Sequence, residues 1–310
     1  ASTAFRVPTI SEQEGSTNEE NLITVDPCDG ATAATATNCL ADGVPADFMQ
    51  DGNTVLTGVG GNPDVEPEEA DTFTFGVVLA PGFAEGFTAT IDYFDIKIDN
   101  AINAVDGSDQ LRLCYLDPAV YAEFCNSFTR DPITRQVTFL SKRPVNAAKE
   151  EVSGIDVAFT YNTEIAGLDT LFTLRATRLL THENQANPAA EVEVLKGKIT
   201  ADRGSFAEWR ANASAKVFAD QWNASWSMRM IGEADDENGG GPIGSSVDNV
   251  FYHDVHFTYQ VTESAKLSLG VDNLFDEEPP FITSWNDANT DVFTYDLMGQ
   301  RWYLQASYEF

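Results

Sequence analysis

Arg301-Trp302-Tyr303-Leu304-Gln305-Ala306-Ser307-Tyr308-Glu309-Phe310 alternates in period two from end to end. Trp302, Leu304, Ala306, Tyr308 and Phe310 fall on one side, and Arg301, Tyr303, Gln305, Ser307 and Glu309 on the other. That is the pattern of a β-strand with one apolar and one polar face. The period recurs upstream. Leu267, Leu269 and Val271 alternate with Lys266, Ser268, Gly270 and Asp272, and Phe251, Val255, Phe257 and Tyr259 with Tyr252, Asp254, His256 and Thr258. Trp222, Ala224, Trp226, Met228 and Met230 oppose Gln221, Asn223, Ser225, Ser227 and Arg229. Trp209, Ala211, Ala213, Ala215 and Val217 oppose Glu208, Arg210, Asn212, Ser214 and Lys216. Leu168 to Leu180, Val152 to Asn162, Gly86 to Ile98, Thr72 to Ala80 and the short tail Ala1 to Phe5 complete the set.

The connections between these segments alternate in length. Pro81 to Glu85, Thr163 to Gly167, Ala219 with Asp220, and Thr262 to Ser264 are tight turns. Asn100 to Lys149, His182 to Gly204, Gly232 to Asn249 and Asn273 to Met298 are long and polar. Loops of that length are uncommon in a soluble domain, whereas membrane barrels combine short periplasmic turns with long extracellular loops. The expected fold is therefore all-β, an antiparallel transmembrane β-barrel rather than a β-sandwich. Closure matters because an open edge in hydrocarbon leaves backbone groups without partners. Trp209, Trp222, Tyr303 and Tyr308, near strand ends, are expected in the interfacial girdles.

Composition agrees. No apolar run is long enough for a transmembrane helix, but a membrane strand needs only about ten alternating residues. The balance of 49 acidic to 18 basic side chains, a formal charge of −31, excludes nucleic acid as a partner, since phosphate backbones are bound by Lys and Arg. Cys28 with Cys39 and Cys114 with Cys125 form two close pairs, suited to local disulfides in an oxidising compartment; four free thiols are the alternative. The chain opens at Ala1 without a basic, apolar leader, so the expectation is an absent N-terminal portion.

Four segments then resemble the TonB-dependent receptors of the bacterial outer membrane. Gly61-Asn62-Pro63-Asp64-Val65-Glu66-Pro67-Glu68, with Asp71 to Gly76 after it, is similar to that family's GNPxLxPE stretch. Thr90 to Ile102 resembles the strand that follows. Gly270-Val271-Asp272-Asn273-Leu274-Phe275-Asp276, with Gly299-Gln300-Arg301 and the terminal Phe310, resembles the family's C-terminal end, and Phe5-Arg6-Val7-Pro8-Thr9-Ile10-Ser11-Glu12 its FRAPxIxEL segment. The resemblance spans nearly the whole chain. It implies a barrel of about 22 strands with a plugged lumen, of which residues 1–310 would be the C-terminal ten or so, the plug and first half being absent. It further implies import of a scarce nutrient such as a ferric siderophore, cobalamin or oligosaccharide, a TonB-type energy-coupling partner reached through the plug, contact with outer-membrane lipid, and a terminal Tyr308 and Phe310 read by the barrel assembly machinery. No cofactor and no catalytic residue are implied.

Cargo contacts are expected on the inner wall and the loops. Arg210, Arg229, Tyr252, His256, Arg301 and Tyr303 are inward by parity, as are Glu208 and Lys216, while Tyr115 and Tyr121 lie with Phe124 and Phe128 in the loop around the second cysteine pair. Asp235, Asp236, Glu237 and Asn238 offer oxygen atoms to a hard cation but read better as a solvated loop, made flexible by the glycines at 239–241. Gly58, Gly60 and Gly61 lack the Lys-Ser/Thr of a phosphate loop. Asp254 and His256 share a face and raise the alternative of a small barrel hydrolase, and a passive porin shares the same barrel physics.

Overall fold

The computed structural model describes every residue except Asp202, Gly240, Pro242, Asn286 and Phe310. Ten strands form one antiparallel sheet in chain order: β1 (Ser2–Arg6), β2 (Glu68–Leu79), β3 (Phe87–Ala104), β4 (Pro144–Ile165), β5 (Leu168–Gln185), β6 (Trp209–Phe218), β7 (Trp222–Ile231), β8 (Val250–Thr262), β9 (Ala265–Asp272) and β10 (Arg301–Tyr308). Glu193–Val194 adds a short pairing to β5. Each strand pairs antiparallel with the next one in the wall, and among the described residues β1 and β10 are the edges. No helix is long and apolar enough to cross a membrane.

The register carries alternation across the sheet. Trp226 lies opposite Val255, Val255 opposite Val271, and Val271 opposite Trp302; Ala224, Phe257, Leu269 and Leu304 form the next rank. Apart from the buried Val271, these apolar side chains are partly or fully open to the surroundings, with Trp302 at 65% and Leu304 at 69% exposure. A water-soluble sheet buries its apolar face; here the apolar face is the outer one.

β3, β4 and β5 run past the segments that alternation marks out, to 18, 22 and 18 residues. A membrane strand needs about ten, so the surplus stands beyond the bilayer. The two-residue period fades there, in Lys149-Glu150-Glu151 and His182-Glu183-Asn184, because both faces meet water or loop.

The long connections fold into two caps. The first joins residues 7–67 and 105–143 through a four-stranded sheet of Asn18–Ile23, Thr54–Val59, Val137–Lys142 and Phe128–Arg130. It also holds four helices: α1 (Ile10–Glu14), α2 (Ala36–Ala41), α3 (Gly107–Leu116) and α4 (Ala122–Cys125). Alternation gave no sign of this sheet or of the 7–67 connection as a folded unit, since its strands are short and mixed in character. Both cysteine pairs are disulfides, Cys28–Cys39 with Cα atoms 5.7 Å apart and Cys114–Cys125 at 4.9 Å. The second cap draws on three later loops, which share the sheet of Gly204–Ser205, Lys198–Thr200, Ala234–Asp236 and Ser246–Val247 and one apolar core containing Ile199, Val247, Ile282, Trp285 and Tyr295.

Candidate functional site

The inner wall is built by the same register that exposes the outer one. Arg175 lies opposite Asn212, Asn212 opposite Arg229, and Arg229 opposite Tyr252, placing two guanidinium groups in one rank. Ser225, His256, Gly270 and Tyr303 form a second rank and Asp272 faces Arg301. Gly270 matters sterically: a Cβ there would overlap the Tyr303 ring, so its absence lets Tyr303 lie across β9 and hydrogen-bond His256 on β8. Tyr303 therefore faces the lumen and not the girdle.

The first rank, with Asp272 and Arg301, lines an open cavity of about 710 Å³, to which His256 and Tyr303 do not contribute. Four cations line it, Arg175, Lys216, Arg229 and Arg301, against the carboxylates of Asp254, Asp272 and Asp296. Arg229 donates to Asp296 at 2.7 Å and lies over the Tyr252 ring at 4.6 Å. Tyr252 is buried, and its hydroxyl accepts the Asp296 backbone N–H at 3.2 Å. Arg301 pairs with Asp272 at 3.3 Å. Arg175 and Lys216 have no ion-pair partner among the described residues. Parity within Leu171-Phe172-Thr173-Leu174-Arg175 would have marked Arg175 as inward; Asp296 lies in a loop whose course no local pattern sets.

Several expected contacts lie elsewhere. Tyr115 is 2% exposed and sits in the core of the first cap, where its hydroxyl donates to Asp42 at 2.6 Å and accepts from Arg130 at 2.8 Å; burial pushes its pKa up. The aromatic ring that sequence offers to cargo is thus used to build the cap. Tyr121 packs against the cluster of Val105, Leu113, Cys114 and Phe124. Arg210 donates to the Ser205 carbonyl at 2.5 Å, bracing a loop. Glu208 accepts from Arg178, whose guanidinium lies over Trp209, so it leaves the inner face for the outer one. Asp254 accepts the Asn273 N–H at 2.9 Å while His256 meets Tyr303, so the carboxylate and imidazole are engaged with other partners. Asp236 caps Ser284 and Asn238, and Asp235 pairs with Lys198; among the described residues no group of three or more His, Cys, Asp or Glu could hold a metal. Gly58 and Gly61 serve close packing against Phe139 and against the backbone of Gln13 and Gly15. Tyr308 is on the exposed outer face, and Phe310 lies outside the described residues.

The segments that carry the family resemblance prove to be clamps. Arg6 binds Glu68 at 2.6 Å and Glu12 at 3.0 Å, tying the Phe5–Glu12 segment to the end of the Gly61–Glu68 segment. Arg6 and the Thr9 backbone hold the Glu12 carboxyl down at about 2. At the other end Gln300 donates through its backbone to Asp276 at 2.7 Å and through its amide to the Leu274 carbonyl at 2.6 Å, joining the two parts of the C-terminal segment.

Comparison with known proteins agrees with this architecture. Residues 1–274 match the family model described as TonB dependent receptor-like, beta-barrel. Among solved structures, the siderophore receptor PirA from Acinetobacter baumannii is 16% identical with a TM-score of 0.59, the match covering 99% of this chain and 38% of that one. A variant of the ferric enterobactin receptor PfeA from Pseudomonas aeruginosa, solved with enterobactin, is 15% identical with a TM-score of 0.57, covering 84% of this chain and 34% of that one. The chain thus spans well under half the length of these proteins, and at this identity the likeness is one of fold. No curated protein sequence matches. The matched family is one of outer-membrane receptors and not of enzymes, and with most of its length under that family's model this chain belongs to the TonB-dependent receptor β-barrel family.

Proposed function

We propose that residues 1–310 are the C-terminal part of a TonB-dependent transporter of about 22 strands, which imports an anionic metal chelate of siderophore type. The observation that carries the reading is the lumen cavity: cations outnumber carboxylates there, four to three, in a chain with 18 basic and 49 acidic side chains. Charge of the opposite sign to the bulk of the surface, gathered in a walled cavity, favours an anionic ligand. Arg175 and Lys216 supply free cationic contacts, and Arg229 a guanidinium held in place over the Tyr252 ring. Siderophore and ferric enterobactin recognition by the two receptors of similar fold is consistent with this class.

The remainder of the reading follows from the wall. The exposed apolar ranks contact outer-membrane lipid, the caps face the cell exterior, and the edges β1 and β10 pair with strands of the rest of the barrel. Energy enters from a TonB-type complex through a plug, and the assembly machinery reads Tyr308 and Phe310. In the intact protein, Arg175→Ala combined with Lys216→Ala is expected to weaken binding of an anionic ferric chelate by tenfold or more, read by tryptophan fluorescence quenching, while a neutral chelate is unaffected. Equal loss for both chelates would sink the charge argument. Uptake that persists in cells lacking TonB would make the barrel a passive porin.

A further inference from the structure

A second cavity, of about 690 Å³, lies within the first cap and shares no lining residue with the lumen cavity. Asn62 and Asn146 fix its rim. The Asn62 amide donates to the Pro144 carbonyl at 2.9 Å, and the Asn146 side chain both donates to and accepts from the Glu66 backbone at 2.8 Å. These bonds span the cleft's two sides, the stretch before β2 and the start of β4, so its shape is set before any ligand arrives.

What remains inside is unspent. Gln110 on α3 is 2% exposed and lines the cavity. Its Nε2 donates to the Val105 carbonyl at 2.8 Å, but its Oε1 has no partner. Buried acceptors of that kind are normally satisfied by protein, water or ligand. Arg143, Asn126 and Glu123 also line the space, and none of their side chains has a partner among the described residues. Phe139, half-buried, supplies an apolar wall; Phe124 also lines the space but is packed in the cap core at 3% exposure. The charge is opposite to that of the lumen: one cation, Arg143, against Asp64, Glu66 and Glu123.

We propose that this cleft is a binding site for a hydroxyl-rich ligand of sugar type, neutral or amine-bearing. Guanidinium, amide and carboxylate groups are planar and present paired donors or acceptors, which match two neighbouring hydroxyls. A phenyl face accepts the C–H face of a sugar ring, and the volume suits a small ligand of one or two rings. The carboxylates turn anions away, so the ligand differs in class from the lumen cargo.

The test uses the intact outer-membrane protein in nanodiscs, titrated calorimetrically with glucose, glucosamine and glucuronate, which share a ring and differ in charge. Saturable binding of glucose and glucosamine is expected, with glucuronate at least tenfold weaker. Gln110→Leu should weaken glucose binding about tenfold. Because Gln110 also braces α3, Arg143→Met and Asn126→Ala provide the same test at the cavity surface. Glu123→Gln should narrow the gap between glucose and glucuronate, and Arg229→Ala in the lumen should leave all three titrations unchanged. Absence of saturable binding by any of the three sugars, glucuronate binding as tightly as glucose, or binding insensitive to both Arg143→Met and Asn126→Ala would each overturn the proposal. The lumen reading stands or falls separately, on the chelate titration.

Discussion

The two caps solve one problem with different means. In the first, buried apolar residues fall into three small clusters, centred on Phe48 with Tyr115, on Leu113 with Phe124, and on Leu111 with Leu140. In the second, one cluster runs from Ile199 through Trp285 and Tyr295 down to Ile231, Val250 and Tyr252 at the strand ends. Divided cores bury little apolar surface each, and small cores need staples. The first cap has both disulfides and a buried ion pair; among the described residues the second has neither.

That ion pair binds the two loops of the first cap together. Arg130 of the 105–143 loop meets Asp26 of the 7–67 loop at 2.6 and 2.9 Å, with side chains 5% and 1% exposed. The guanidinium also donates to the Tyr115 hydroxyl at 2.8 Å and to the Arg135 carbonyl at 2.7 Å, and is ringed by Phe48, Tyr115 and Phe128. Every strong donor it owns has a partner, which is the condition under which a buried pair can be tolerated.

The contrast can be broken from either side. Trp285→Ala should cost the second cap about 3–5 kcal/mol, seen as faster hydrogen exchange in residues 195–207 and 232–250 with the first cap unchanged; a spread into the first cap would mean that the caps share a core after all. Arg130→Met strands the Asp26 carboxylate and should cost the first cap about 3–5 kcal/mol, separating the 7–67 and 105–143 loops in the same experiment. Exchange confined to one loop would show that the pair does not tie them. Reducing either disulfide, each closing a sequence separation of 11, removes about 3 kcal/mol at most on loop entropy. Proteolysis should then open the first cap and spare the strands; a resistant first cap would leave the staples redundant.

Acid sharpens the comparison with a smaller effect of opposite sign in each cap. Glu12 is held down at about 2 by Arg6, so its contribution is fully present above the ordinary glutamate value of 4.5 and is lost as pH falls through that range toward 2. Glu237 in the second cap is raised by burial and by Glu193, so its contribution is present in acid and lost as pH rises through its raised value. Pepsin digestion at falling pH should free the 7–67 loop before the 232–250 loop. Glu12→Gln, which lacks the charged pair at any pH, should free the 7–67 loop even at neutral pH, and a reversed order of cleavage in the parent protein would refute it.

Alternation was enough to locate all ten wall strands and to sort Arg210, Arg229, Tyr252, His256 and Arg301 from their apolar neighbours, because a period of two is a local property of the chain and the register preserves it across each hairpin. The same logic extends to the disulfides, whose partners lie close along the sequence. What no local pattern contains is the meeting of distant loops. Asp296 reaches Arg229 across 67 positions and Asp26 reaches Arg130 across 104. Tyr115 was legible as an aromatic in a loop, yet whether it meets cargo or core depends on Phe48, Arg130 and Asp42 arriving from elsewhere. Strand faces follow from backbone geometry that each residue carries with it, whereas cap cores and cavities follow from side chains that only the folded chain brings within reach.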